Sequence, residues 1–208
     1  MINIRALQSQ DIESLYAISL ATGAIGKDAS SLYRDGRLIG HIYVGPYAVL
    51  TPSNCFVAEQ GDEIVGFVVG TLDTASFERR LEDEWWPKLR DQYPDPDIKH
   101  SNSWNMDQKR SFMIHHPNRT PDEILAVYPS HVHLNLLPKA QRKGIGTSLI
   151  NSWLSHAEEL GSCGVHVGVN AQNQNARLFW QAQSFSDLDD LIVDTKIKTL
   201  WLGRKLHS

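Results

Sequence analysis

Gln141-Arg142-Lys143-Gly144-Ile145-Gly146-Thr147 is the stretch that decides the fold, because it joins a strand to a helix. Residues 131–137 before it alternate polar with apolar side chains, which is typical of a half-buried strand. Apolar residues recur at helical spacing from Ile145 to Leu160, and Gly161 stands where a helix commonly ends. The two glycines therefore lie at a strand-to-helix junction.

Such a junction is suited to bind a phosphorylated group. The first turn of a helix has N–H groups without a partner inside the helix, and the peptide dipoles add partial positive charge there. Missing Cβ atoms at Gly144 and Gly146 let a phosphate approach, and Arg142 and Lys143 add full charges. The spacing is not that of a P-loop or of a dinucleotide-binding motif, since the lysine precedes the glycines and position 149 is Leu.

The pattern Gln-x-x-Gly-x-Gly at positions 141, 144 and 146 resembles the pyrophosphate-binding signature of the GNAT superfamily of acetyl-CoA-dependent acetyltransferases. The alternative for these six residues alone is a turn with solvated basic side chains. A second strand at residues 165–169 is followed by Asn173, Ala176, Trp180 and Ser184-Phe185. This run is similar to the family's Asn, Ala, Tyr and Gly-Phe pattern, with Trp180 at the Tyr position and Ser184 at the Gly position.

The resemblance implies the fold and the cofactor site. We expect a mixed α/β (α+β) GNAT fold, with a mostly antiparallel sheet, splayed central strands and flanking helices, as one domain over residues 1–208. The pantetheine arm of acetyl-CoA would lie along the backbone of Leu134, Asn135 and Leu136, where the amide near Asn135 or Leu136 polarises the thioester. Asn173 would reach the pantetheine, and Trp180 would pack beside the sulphur. The pyrophosphate would be held by Gln141, Arg142, Lys143, Gly144, Ile145, Gly146 and Thr147.

The same resemblance implies transfer of an acetyl group to a primary amine of a small-molecule or peptide acceptor. His133 and Asp73 are the candidate general bases, although a strand histidine is often only solvated and Asp73 can cap a helix. An indole such as Trp180 cannot act as an acid, so the alternative is a non-catalytic acetyl-CoA-binding or protein-interaction module. His131 and His133 could chelate a metal, but no further ligands lie nearby in sequence, and we predict no metal.

A closer resemblance covers most of the chain. Phe56-Val57-x-Glu59, Gly70-Thr71-x-Asp73, Trp85-x-Pro87 and Leu202-Gly203-Arg204 look like the acetyltransferase-like C-terminal domain of O-GlcNAcases. That domain has a degraded glycine signature, whereas Gln141, Gly144 and Gly146 are intact here. The expectation is a free-standing relative that retains cofactor binding.

Composition narrows the class of protein. The chain has 208 residues, of which 41% are hydrophobic and 21% charged, as in an ordinary globular protein. Its net charge of −4 argues against a broad nucleic-acid surface. No apolar run is long enough to span a membrane and no signal peptide opens the chain, so we expect a cytoplasmic location. Cys55 and Cys163 are expected to be buried, reduced thiols, and a homodimer is a family-level expectation.

The remaining segments predict the elements around this centre. A strand at residues 2–6 precedes a helix capped by Ser9, and a hairpin joins residues 55–59 to 63–70. Residues 24–54 are expected to form short helices, and the resemblance to the GNAT family implies that they cover the acceptor site. A helix through Phe77 should end or kink at Pro87, and another should span 106–115. A C-terminal hairpin is predicted from 188–193 and 197–202.

Overall fold

A computed structural model of the chain describes residues 2–188 and 199–206. The strands are β1 (Ile2–Ala6), β2 (Cys55–Gln60), β3 (Glu63–Thr71), β4 (Ser130–Leu136), β5 (Gly164–Asn170), β6 (Ser186–Asp187) and β7 (Thr199–Lys205). They form a 7-stranded sheet in the order β1-β2-β3-β4-β5-β7-β6. Of these pairings, β4 with β5 is parallel and the others are antiparallel. This confirms the mostly antiparallel mixed sheet.

Helices cover both faces of the sheet. Their bounds are α1 (Ile12–Thr22), α2 (Leu38–Tyr43), α3 (Gly45–Leu50), α4 (Thr74–Arg80), α5 (Trp86–Gln92), α6 (Met106–His115), α7 (Asp122–Leu125), α8 (Ile145–Glu159) and α9 (Gln174–Ala182). The short helices α2 and α3 lie where short helices are predicted, and α6 has the predicted bounds. A π-helical turn, Leu81–Trp85, separates α4 from α5. Pro87 therefore stands in the first turn of α5, where its missing N–H costs no hydrogen bond.

The alternation of β4 divides its side chains between two cores. Val132 and Leu136 pack with α8, whose Trp153 is fully buried and donates from Nε1 to the Asn54 carbonyl at 3.0 Å. His131, His133 and Asn135 occupy alternate positions along β4 and so face the opposite side, which α1, α3 and α4 cover. This second face carries the polar groups of interest.

Two local predictions differ from the structure. A 3₁₀ turn, Ser9–Asp11, precedes α1, so Ser9 is not its N-cap, and Asp11 pairs with Arg5 at 2.7 Å. Cys163 is exposed, because it lies in the turn before β5, whereas Cys55 is buried as expected. Residues 189–198, which hold most of the first strand and the turn of the predicted C-terminal hairpin, lie outside the described residues. Within residues 2–188 and 199–206, no helix has the length and apolarity needed to cross a membrane.

Candidate active site

The sheet opens between its two central strands. β4 and β5 pair only at Ser130 with Val165 and at His131 with His166. Both strands continue beyond these pairs, β4 to Leu136 and β5 to Asn170. The central strands therefore splay apart, as predicted, and leave an opening between them.

The register shows which backbone groups face this opening. Leu137 donates its N–H to the Val65 carbonyl at 2.9 Å, which makes this a hydrogen-bonded pair of the β3–β4 ladder. Since hydrogen-bonded and non-hydrogen-bonded pairs alternate, the N–H and C=O of Asn135 face β3, and those of Leu134 and Leu136 face the opening. Of the three residues predicted to contact the pantetheine arm, Leu134 and Leu136 thus present their backbone groups to the opening, whereas Asn135 presents its own to β3.

The first backbone N–H groups of α8, which follow the glycine turn, have no hydrogen-bond acceptor among the described residues. Gly144 is the N-cap, and its φ of 77° is a left-handed conformation that favours glycine. Because glycine has no side chain, no side-chain oxygen caps the helix. The first backbone bond of the helix runs from the Ser148 N–H to the Gly144 carbonyl at 3.0 Å. Among the described residues, the N–H groups of Ile145, Gly146 and Thr147 therefore have no protein acceptor. This is the geometry of an anion site.

Gly146 has a different reason to be glycine from the predicted one. A Cβ built on it would lie 3.1 Å from Leu136 Cδ1 and 3.1 Å from Phe179 Cε2. The position that a Cβ would occupy thus lies in the interface that α8 forms with β4 and α9. In this structure the missing Cβ of Gly146 allows a close contact of α8 with Leu136 and Phe179.

The side chains of the turn are exposed to solvent. Gln141 donates from Nε2 to the Leu136 carbonyl at 3.0 Å, tying the turn to the end of β4. Arg142 adopts φ of 58°, an uncommon value for a residue with a side chain. Neither Arg142 nor Lys143 forms an ion pair within the described part of the chain. Their charges are free to meet an anion.

The second half of the predicted pattern lies on α9. Asn173 caps this helix, with its Oδ1 accepting from the Ala176 N–H at 3.1 Å, so its amide nitrogen stays available to donate to another group. Trp180 is 6% exposed and packs edge-on against Phe185 with ring centroids 5.0 Å apart. Trp180 is therefore a core residue in this structure.

Ser184 adopts a backbone conformation that favours glycine. Its φ is 64°, and it follows α9 in a Schellman motif, in which Phe185 donates to the Trp180 carbonyl at 3.1 Å and Ser184 to the Gln181 carbonyl at 3.0 Å. We expect Ser184→Gly to raise the free energy of unfolding by roughly 0.5–1 kcal/mol, since it removes the strain of the left-handed residue. Urea denaturation measures this, and Gln183→Gly, outside the left-handed region, is the control that should not be stabilised.

A cavity lies on the second face of the sheet, beside the opening. Its volume is about 210 Å³, and both Val132 of β4 and Gly168 of β5 line it. Three histidines, His131, His133 and His166, also line it. The aromatic and apolar walls include Tyr43, Tyr47, Phe77, Trp86, Met113 and Trp201.

His131 is held by hydrogen bonds at both ring nitrogens. The Thr74 hydroxyl lies 2.7 Å from the Pro129 carbonyl and 2.8 Å from His131 Nδ1. Because a carbonyl only accepts, Thr74 donates to Pro129 and accepts from Nδ1–H. Nε2 of His131 then accepts from the Tyr47 hydroxyl at 2.6 Å. His131 is thereby fixed as a neutral ring without a free lone pair.

The other two histidines keep an acceptor. His133 makes no hydrogen bond among the described residues and contacts Tyr47 and Tyr43 edge-on. His166 holds a single hydrogen bond, from Nδ1 to the Tyr128 carbonyl at 2.7 Å. Burial lowers the pKa of His133 and of His166 to about 4 and lowers that of His131 well below its usual value. All three rings are neutral at pH 7.

Asp73, the other predicted base, is a helix cap. Its Oδ1 accepts from the Ser76 N–H at 2.9 Å, and it is not one of the cavity residues. Of the two predicted bases, only His133 faces the cavity. In the described ranges, no group of three or more His, Cys, Asp or Glu residues is arranged to hold a metal ion.

Sequence reasoning missed Tyr47, Thr74 and His166. Tyr47 and Thr74 lie 84 and 57 positions from His131, the residue that they hold. No local pattern connects residues so far apart. His166 did carry a signal, since it is a histidine in an apolar strand next to the predicted opening.

Comparison with known proteins agrees with this geometry. The Acetyltransferase (GNAT) family profile matches residues 40–185. Protein O-GlcNAcase of Rattus norvegicus is 27% identical over 146 residues, which cover 69% of this chain and only 16% of that protein. The crystal structure of SsHAT is 29% identical, covers 98% of both chains and superposes with a TM-score of 0.88. PaiA N-acetyltransferase from Thermoplasma acidophilum, in complex with coenzyme A, is 15% identical, covers 99% of both chains and has a TM-score of 0.54.

The profile match spans the short helices over the cavity, the central strands, the glycine turn and the Asn173 helix. The strands that border the opening, the free amides and most of the residues that line the cavity lie within the matched range. This chain belongs to the acetyltransferase (GNAT) family.

Proposed function

We propose that this chain binds acetyl-CoA and transfers the acetyl group to a primary amine of a small molecule or peptide. The observation that carries the proposal is the position of the opening between β4 and β5. It leads from the free amides of α8 on one side to a cavity with a neutral histidine on the other. One opening thus offers places for both substrates.

The diphosphate of the cofactor is proposed to bind the N–H groups of residues 145–147, with Arg142 and Lys143 nearby. The pantetheine arm would pair with the backbone of Leu134 and Leu136 as an extra strand does. The Leu136 N–H would then stabilise the oxyanion that develops on the thioester carbonyl. Asn173 would offer its amide nitrogen to the arm, and Trp180 of the same helix packs in the core against Phe185.

His133 is proposed to take the proton of the attacking amine. It faces the cavity, and its ring nitrogens have no partner among the described residues. A pKa of about 4 makes a weak base. A weak base suffices, because the nitrogen becomes strongly acidic as its bond to the carbonyl carbon forms.

The match covers only 16% of Protein O-GlcNAcase. A second candidate is a non-catalytic acetyl-CoA-binding or protein-interaction module. Trp180 favours it, since its buried indole leaves no titratable group at that position of α9.

A thiol-release assay tests the proposal. Coenzyme A formation from acetyl-CoA is followed with a panel of primary amines, peptides with free N-termini and aminoglycosides. Release that depends on an amine, with the acetylated amine found by mass spectrometry, supports acetyl transfer. Tight cofactor binding with no release on any amine favours the binding module instead.

Thr147→Glu separates cofactor binding from folding. Thr147 is exposed in the first turn of α8, where a carboxylate stabilises a helix by about 0.3–1 kcal/mol. The same charge repels a diphosphate, so we expect coenzyme A affinity to fall at least about tenfold while the melting temperature stays equal or rises. Titration calorimetry and thermal melting measure the two effects. Thr147→Gln is the neutral control, and equal affinity of the glutamate variant and the parent would contradict the assigned phosphate site.

A further inference from the structure

We propose that His166 of β5 is a second hydrogen-bond acceptor for the attacking amine, so that His133 and His166 together hold both N–H bonds of a primary amine. This inference rests on the proposed acetyl transfer and assigns the group that orients the acceptor. It also explains why the cavity would favour a primary over a secondary amine.

The orientation of His166 follows from its single hydrogen bond. The Tyr128 carbonyl, 2.7 Å from Nδ1, can only accept, so Nδ1 carries the proton. Nε2 is then an unprotonated acceptor, and the geometry of the ring directs it away from Tyr128. Nε2 has no hydrogen-bond partner among the described residues. The ring is 1% exposed, lines the cavity and packs edge-on against Trp201 with centroids 5.5 Å apart.

The position of His166 places this acceptor at the point where the sheet opens. His131 and His166 form the last pair between β4 and β5, and beyond it the strands separate between His133 and Gly168. His131 cannot serve, because Tyr47 and Thr74 occupy both of its nitrogens. His133 and His166 remain as acceptors on either side of the opening.

Two acceptors match the needs of a primary amine. Its nitrogen has one lone pair and two N–H bonds, and holding both bonds directs the lone pair at the thioester carbonyl. The C–N bond forms as the C–S bond breaks, and the sulphur leaves with the electron pair as coenzyme A thiolate. One proton passes from nitrogen to His133, and the other N–H stays hydrogen-bonded to His166. A secondary amine has one N–H and loses one of these contacts.

Two variants of His166 separate its two nitrogens. His166→Asn can keep a donor near the Nδ1 position for Tyr128 but has no acceptor at the Nε2 position. His166→Gln can place an amide oxygen near that position. With benzylamine as acceptor, we expect kcat/KM to fall about fivefold to tenfold in His166→Asn and less in His166→Gln. With N-methylbenzylamine, His166→Asn should fall less, so the preference for the primary amine shrinks. An equal fall on both amines would overturn the assignment.

A measurement without turnover tests the site independently of acetyl transfer. In protein labelled with ¹⁵N-histidine, His166 is identified as the signal lost in His166→Asn. We expect Nδ1 protonated and Nε2 unprotonated in the free protein, and a shift of the Nε2 signal on adding benzylamine. A proton on Nε2, or a His166 signal unmoved by saturating benzylamine, butylamine and glycinamide, would overturn the inference even if the chain proves to be an active acetyltransferase. Conversely, the expected shift without thiol release would leave this amine site standing and remove the catalytic proposal.

Discussion

Replacing His133 with alanine is expected to lower kcat/KM for acetyl transfer by about 10²–10⁴-fold, the usual contribution of a general base. His133 faces the cavity beside the opening and has no hydrogen-bond partner among the described residues, so its lone pair is available. Stopped-flow thiol release measures the rate. Affinity for coenzyme A should stay unchanged, since the proposed cofactor contacts come from the β4 backbone and α8.

The pH profile gives a second readout for His133. Its pKa of about 4 means that the ring is neutral, and able to accept a proton, above that pH. The loss of activity caused by His133 protonation should therefore lie near pH 4 and not near 6.5; losses at higher pH reflect protonation of the amine.

His100→Ala, at an exposed histidine far along the chain, is the matched control for His133→Ala. Parent-like activity of His133→Ala would exclude His133 as the base.

Acidification from pH 7 to pH 5 is expected to destabilise the fold strongly. His131, His133 and His166 have lowered pKa values in the folded chain and ordinary values near 6.5 when unfolded. Between about pH 6.5 and 4 the unfolded chain binds more protons than the folded chain, so stability falls as pH falls. His133 and His166 each contribute on the order of 1 to 2 kcal/mol over this range, and His131 acts in the same direction, so the sum is a large share of a typical folding free energy.

The charged groups around the cavity do not offset this effect. Glu78 accepts hydrogen bonds from Thr120, and Glu82 pairs with Arg90 at 2.9 Å, so both carboxylates are engaged elsewhere. Paired carboxylates such as Asp11, whose pKa the Arg5 hydrogen bond lowers, lose their contribution only below about pH 3.8. The window between about pH 6.5 and 5 therefore belongs to the buried histidines, and His41, whose pKa burial also lowers, adds to the effect of the three cavity rings.

Urea denaturation at several pH values measures the slope. His133→Gln should flatten the decline between pH 6.5 and 5, because it removes one of the rings whose pKa burial lowers. His100→Gln, at an exposed histidine away from the cavity, is the matched substitution. Equal stability of the parent at pH 7 and pH 5 would show that the cavity histidines titrate normally.

The sequence was sufficient to predict the central elements of the fold. The polar-apolar alternation of residues 131–137, the glycine turn and the helical spacing of apolar residues in α8 are local signals. Each depends on which residues of its own segment are buried. Gly161, with φ of 80°, ends α8 as predicted. The mostly antiparallel sheet came from the family resemblance rather than from any single pattern.

The cavity could be predicted only in part. His133 was recognised, because it alternates with apolar neighbours in the strand next to the glycine turn. The hydrogen bonds of Tyr47 and Thr74 to His131 depend on the packing of α3 and α4, which no local period encodes. The direction of the Asn135 N–H and C=O groups follows from the pairing of β4 with β3. The lack of room for a Cβ at Gly146 follows from the close approach of Phe179. Both require tertiary structure.

The gap between β4 and β5 creates an unprotected pairing edge in the middle of the sheet. Edges of this kind attract extended segments of other chains, and most proteins keep them short, charged or covered. If the pantetheine arm occupies the gap, the cofactor also shields the chain from self-association. The concentration of coenzyme A would then affect how readily the chain aggregates in solution as well as the rate of the proposed acetyl transfer.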